Sequence, residues 1–132
     1  MEDEREQRIL FIESVIEAGD LSPLKGILEG MRSADIADIM AALSPEKRIL
    51  LFKSIERELS SEVFTLLDEG SARELIAELE EDEIVAIVHL MASDDAADTL
   101  NLLPPEQVQR ILGRIGREDY EDLKELLKFP EE

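Results

Sequence analysis

The 132 residues include 14 Lys and Arg against 33 Asp and Glu, a formal net charge of −19 at pH 7, so partners held by phosphate neutralisation, nucleic acid and anionic membrane alike, are excluded. The length suits one domain, and 44% hydrophobic residues spread through the chain offset ordering entropy despite a 36% charged composition. There is no cysteine, which removes disulfides, thiolate zinc sites and cysteine nucleophiles.

A first helix is expected from near Asp3 to Ala18. Beyond it, apolar residues recur at helical spacing and strand-like alternation is nowhere to be found. Ser22-Pro23 opens the next helix, with proline at the first helical position. Ser33 precedes the stripe Ile36, Ile39, Met40, Leu43, and Ser44-Pro45-Glu46 starts another helix. Ser60 is expected to cap a further one. Ser71-Ala72-Arg73-Glu74 reads as a capping box ahead of Leu75, Ile76 and Leu79. Asp82 introduces Ile84, Ile87, Val88 and Met91; Ser93 and Pro104 stand at later N-cap positions, the second before Val108, Ile111, Leu112 and Ile115. The last helix is expected from near Glu118 to Lys128, with Leu123, Leu126 and Leu127 inward.

The caps Ser22, Ser33 and Ser44 step by 11, as do Ser71, Asp82, Ser93 and Pro104 after a longer interval at Ser60. Helices of about nine residues are unstable alone, so each must lean on its neighbours, as in a solenoid. A self-match at a shift of 60 lays Ser33-Ala34-Asp35-Ile36-Ala37-Asp38 over Ser93-Asp94-Asp95-Ala96-Ala97-Asp98. It continues with Leu43, Pro45, Glu46 and Ile55 over Leu103, Pro105, Glu106 and Ile115. The expected fold is all-α, a short superhelical solenoid of about ten short helices in a single domain over 1–132.

The longest uninterrupted aliphatic stretch, Ile84 to Val88, is far short of a membrane span, and Met1-Glu2-Asp3-Glu4-Arg5 lacks the order of a signal peptide. The chain is therefore expected to be soluble and cytoplasmic, without direct membrane insertion. Catalytic candidates are few. The single histidine, His89, lies on an otherwise apolar helix and is expected to be a helix-flank residue with a satisfied ring nitrogen. The serines are explained as caps, and Phe11, Phe52, Phe64, Phe129 and Tyr120 are too few to build stacking platforms. The run Glu78, Glu80, Glu81, Asp82, Glu83 is most simply a solvated face with carboxylates favoured by a helix dipole.

One cluster exceeds what capping needs. Position 34 is alanine but its repeat mate is Asp94, which gives Asp94-Asp95-x-x-Asp98. Asp94 and Asp98, four apart, project from one face and repel each other. First-turn dipole compensation is one reading; a hard-cation site is the other, since Mg²⁺ keeps most of its waters and is held by one or two carboxylates. Spacing alone does not choose between them.

Ser33-Ala34-Asp35-Ile36-Ala37-Asp38-Ile39-Met40, followed by Leu43-Ser44-Pro45-Glu46-Lys47-Arg48, resembles the opening of the cytoplasmic N domain of MgtE-type magnesium channels. Ser61-Glu62-Val63, Ser93 to Asp98 and Leu103-Pro104-Pro105-Glu106 resemble its later signatures, in order, and Leu126-Leu127-Lys128-Phe129-Pro130-Glu131 resembles the segment leading to CBS domains and a pore. The sequence departs from the family's usual His-Pro at Arg32-Ser33 and from Ala-Ala-Glu-Val at Ser60-Ser61-Glu62-Val63. The resemblance implies a right-handed, armadillo-like superhelix over 21–128, after an N-terminal helix within 1–20 and before a linker from 129. It also implies a cytoplasmic Mg²⁺ sensor that closes against a CBS domain pair when Mg²⁺ bridges acids of both, with Glu62, Asp94 and Asp98 as this domain's ligands. Dimerisation is then expected only in the full-length protein. An acidic helical-repeat scaffold for another protein, comparable to flagellar motor switch proteins, is the alternative; an acid/base enzyme is not expected.

Overall fold

Short amphipathic segments that begin with proline or an acid and end without a glycine-rich break leave a chain little choice but successive helices. The computed structural model describes residues 4–127 and contains ten helices and no strand among them. The helices fall into two compact units that divide between Glu78 and Leu79.

The first unit holds α1 (Glu4–Ala18), α2 (Ser22–Glu29), α3 (Ser33–Ala42), α4 (Pro45–Ser54), α5 (Arg57–Thr65) and α6 (Glu69–Ala77). Here α1 packs on α3, α3 on α5, and α4 on α6, so that helices two apart stack while sequential ones alternate between rows. Ile12, Leu24, Leu28, Ile36, Met40 and Leu51 are essentially inaccessible to solvent. Phe52 and Phe64 meet edge to face, ring centroids 6.1 Å apart, and lock α4 to α5.

The second unit holds α7 (Glu81–Leu90), α8 (Ser93–Leu100), α9 (Pro105–Leu112) and α10 (Arg117–Lys124). The same stacking recurs, α7 on α9 and α8 on α10, around Ile84, Ile87, Leu100, Ile111 and Leu123. Gly116, the N-cap of α10, has φ +95°, a conformation in which a Cβ would be strained.

From α3 onward the helices begin at 33, 45, 57, 69, 81, 93, 105 and 117, a step of 12. The expected step of 11 is therefore wrong, and the 60-residue self-match is explained: five steps of 12 carry α3, α4 and α5 onto α8, α9 and α10. Residues 31–40 and 91–100 have the same burial position by position.

The error lay in the caps. Ser44 and Pro104 are N-caps, and the Ser44 hydroxyl accepts the Lys47 N–H at 3.4 Å. Ser22, Ser33 and Ser93 are instead first helical residues. Ser60 lies inside α5, buried, with its hydroxyl donating to the Arg57 carbonyl. Ser71 is no cap: Asp68 holds that place on α6, accepting the Ser71 N–H at 2.6 Å and its hydroxyl at 3.2 Å. The start of α7 is set by Glu80, whose N–H donates to the Glu83 carboxylate at 2.9 Å. The inward stripes are observed as expected except that Leu126 is 44% exposed and Met91 half-buried. The final helix ends at Lys124; Asp3, Lys128 and the segment Phe129-Pro130-Glu131 lie outside the described residues.

A buried charge that the sequence reading did not single out organises the first unit. Arg48, 6% exposed, donates from Nε to the Met40 carbonyl and from Nη2 to the Leu43 carbonyl, both at 2.9 Å, and its Nη1 meets Glu74 Oε1 at 3.0 Å. At the C-terminal end of α3 the Met40 carbonyl has only the Leu43 N–H at 3.1 Å, and the guanidinium adds a second donor to it, a donor to the Leu43 carbonyl, and the charge the helix dipole favours there. Position 108, its repeat mate, is valine.

Candidate metal-binding carboxylates

Glu62 is turned outward on α5 because Ser60, Ser61, Val63 and Phe64 face inward. The serines that depart from the family pattern are accommodated there: the Ser61 hydroxyl donates to the Glu58 carbonyl at 2.9 Å, as Ser60 does to Arg57. The Glu62 carboxylate is held from α3, with Ser33 Oγ donating to Oε1 at 2.6 Å. The other departure from the family pattern thus touches an expected ligand.

Asp94 and Asp98 stand on α8, whose opposite face buries Ala96, Ala97, Thr99 and Leu100. Both are exposed, one turn apart on one side. Asp94 Oδ1 accepts the N–H of Asp95 at 2.9 Å, so it compensates the helix start in part. No cation engages Asp94, Asp95 or Asp98 among the described residues.

The first copy of the repeat is different. Asp38, equivalent to Asp98, takes both arms of the Arg5 guanidinium from α1, and this pairing holds its carboxyl below the usual carboxylate range. Asp35, equivalent to Asp95, pairs with Arg32 at 3.5 Å, whereas position 92 is alanine. One copy is therefore charge-compensated within the fold while the other presents two carboxylates on an open face.

The structure brings Asp94 and Asp98 together by helical spacing; Glu62 belongs to the first unit and they belong to the second. Among the described residues no three His, Asp or Glu side chains converge as a group able to hold a metal. What α8 offers is two hard oxygen ligands, a partial set of the kind Mg²⁺ accepts while retaining water.

Other acids are consumed locally. Glu81 Oε1 meets Arg110 at 3.0 Å and Oε2 meets Arg114 at 3.3 Å, while Asp82 holds Arg114 at 2.6 Å. Arg110 foremost, then Arg114, keeps the Glu81 carboxyl below its ordinary value. The acidic run is thus more than a solvated face. His89 is a helix-flank residue as expected, its Nδ1 2.9 Å from Asp119 Oδ2.

Comparison with family models matches residues 31–132 to the MgtE intracellular N domain. The chain belongs to that family. The match includes Glu62, Asp94 and Asp98, and with it the all-helical MgtE N fold is established. A solved structure described as the soluble part of a magnesium transporter superimposes with a TM-score of 0.81 at 17% identity, over 96% of this chain and 50% of that one. This MgtE N domain therefore spans half the length of the structure it resembles. No curated protein matches the chain. No helix among the described residues is long and apolar enough to cross a membrane.

Proposed function

We propose that this MgtE N domain is the Mg²⁺-sensing regulatory domain of a magnesium channel or transporter, on the cytoplasmic side, and that it catalyses no reaction. Asp94 and Asp98 supply carboxylates to a cation whose other ligands come from a CBS domain pair of the longer protein, and Glu62, from the first unit, offers its carboxylate to that partner in the same way. The observation that carries this reading is the contrast between the repeat copies: Asp35 and Asp38 are neutralised by arginines, and Asp94 and Asp98 are not. Leaving like charges four residues apart has a small cost, which a divalent cation removes. Because Mg²⁺ binds through few carboxylates and keeps its waters, its affinity for this domain alone is weak and rises when a second acidic surface completes the shell. Closure follows when the ion cancels repulsion between the two surfaces; losing it lets them part.

The test is made in the longer protein. Asp94→Asn or Asp98→Asn should shift Mg²⁺-dependent protease protection, and channel closure, to higher Mg²⁺, whereas Asp35→Asn and Asp38→Asn should not. Each substitution removes one charge from an equivalent helix, so equal effects from both pairs would reduce the acids to general electrostatics and overturn the assignment.

A further inference from the structure

The first unit has a second acidic feature, in the groove between α4 and α6, that is independent of the cation-sensing reading. Its floor is apolar: Leu50 is 46% exposed, beside half-buried Ile49 and exposed Ala77. Its walls are acidic, since Glu46 precedes Leu50 by one turn of α4 and Glu74 precedes Glu78 by one turn of α6. The groove encloses about 770 Å³, more than one side chain fills.

Glu74 is met by Arg48 at 3.0 Å, but Lys47 and Arg48 leave Glu46 and Glu78 uncompensated. Lys47 is directed to Glu17 at 2.6 Å and to Glu13 at 3.9 Å on α1, and Arg48 is buried with one contact to Glu74. Glu46 and Glu78 have no ion-pair partner among the described residues. An exposed leucine framed by uncompensated carboxylates matches a helix turn that carries an apolar side chain between Lys or Arg residues.

We infer that the α4–α6 groove is a docking site for a basic amphipathic helix of another polypeptide, its apolar side chain on Leu50 and its cations on Glu46 and Glu78. A second copy of this chain is a poor occupant, because two molecules of charge −19 repel.

The probe is a synthetic 14-residue helical peptide with leucines at i and i+4 flanked by lysines, beside one of the same charge with serine in place of leucine. Binding to the whole chain is read by fluorescence anisotropy and by methyl NMR of Leu50 and Leu66, with circular dichroism confirming that each variant folds. The leucine peptide should bind about tenfold more tightly and shift Leu50 methyls but not those of Leu66, which is 52% exposed elsewhere in the unit. Leu50→Gln should abolish that advantage, Leu66→Gln should leave it intact, and Glu46→Gln with Glu78→Gln should weaken binding and flatten its salt dependence. Equal binding of the two peptides, or equal loss in Leu50→Gln and Leu66→Gln, would show unspecific attraction to an acidic protein and overturn the proposal. So would self-association that Leu50→Gln abolishes, since the groove would then hold a second copy.

Discussion

Replacing Arg48 tests whether one buried guanidinium holds the C-terminal end of α3. In Arg48→Ala the Leu43 carbonyl loses its 2.9 Å donor, while the Met40 carbonyl keeps the Leu43 N–H at 3.1 Å. A charged hydrogen bond contributes about 1.5–3 kcal/mol, and the two strong ones here are not fully independent. The pair with Glu74, whose side chain is 63% exposed, adds at most about 0.5 kcal/mol after solvent screening. The expected loss is about 3 kcal/mol, or a fall in Tm of roughly 9 °C at about 3 °C per kcal/mol for a chain of this size. Arg48→Met, which retains the apolar stem, should lose roughly 1 kcal/mol less. Thermal unfolding gives the total, and hydrogen exchange should place the weakened amides in α3 and α4. A Tm change under about 2 °C for Arg48→Ala, or a loss as large in Glu74→Ala, would refute the idea that carbonyl capping is the dominant contribution.

Four further outcomes are expected. On acidification, Asp38, Asp68 and Glu81 resist protonation in the folded state, held by Arg5, by the Ser71 N–H and hydroxyl, and by Arg110 with Arg114. The unfolded chain therefore binds protons first, so denaturant-measured stability should fall as pH drops below about 4, after rising slightly from pH 7 as self-repulsion is relieved. Gly26→Ala, in the middle of α2 where a Cβ meets nothing within 4 Å, should stabilise by about 0.5–1 kcal/mol. Gly116→Ala should cost about 1–2 kcal/mol, both by urea titration. Chelation should leave the helical circular dichroism intact, because the buried residues are almost all apolar; unfolding on chelation would contradict that.

The helices were legible because their apolar spacing is regular: Ile36, Ile39, Met40 and Leu43 are buried as a set, as are Val108, Ile111, Leu112 and Ile115. Cap positions were less so. A serine hydroxyl inside a short helix can return to the carbonyl three residues back, as at Ser54, Ser60 and Ser61, and then looks in sequence like a boundary. Reading Asp68 rather than Ser71 as the cap would have given the step of 12. For the acids, the sequence showed that Asp94 replaces Ala34, but not that Asp38 is quenched by Arg5. That contact spans 33 residues and depends on α1 packing against α3. Arg48 left no sequence signal, since nothing in Lys47-Arg48-Ile49 distinguishes a capping guanidinium from a surface one.

A chain whose helices restart every 12 residues risks mistaking one of its own segments for another while it folds. The α3–α5 and α8–α10 segments share their step, and residues 31–40 and 91–100 their burial, so α10 is the nearest competitor for the place of α5. The side chains make that exchange costly: position 64 is phenylalanine and its mate 124 is lysine, while 52 is phenylalanine and 112 leucine. A mispaired α4 and α10 would set an ammonium group where Phe64 meets the ring of Phe52, in a place closed to water. The aromatic pair thus acts as a key that lets one copy recognise its own third helix and refuse the other's.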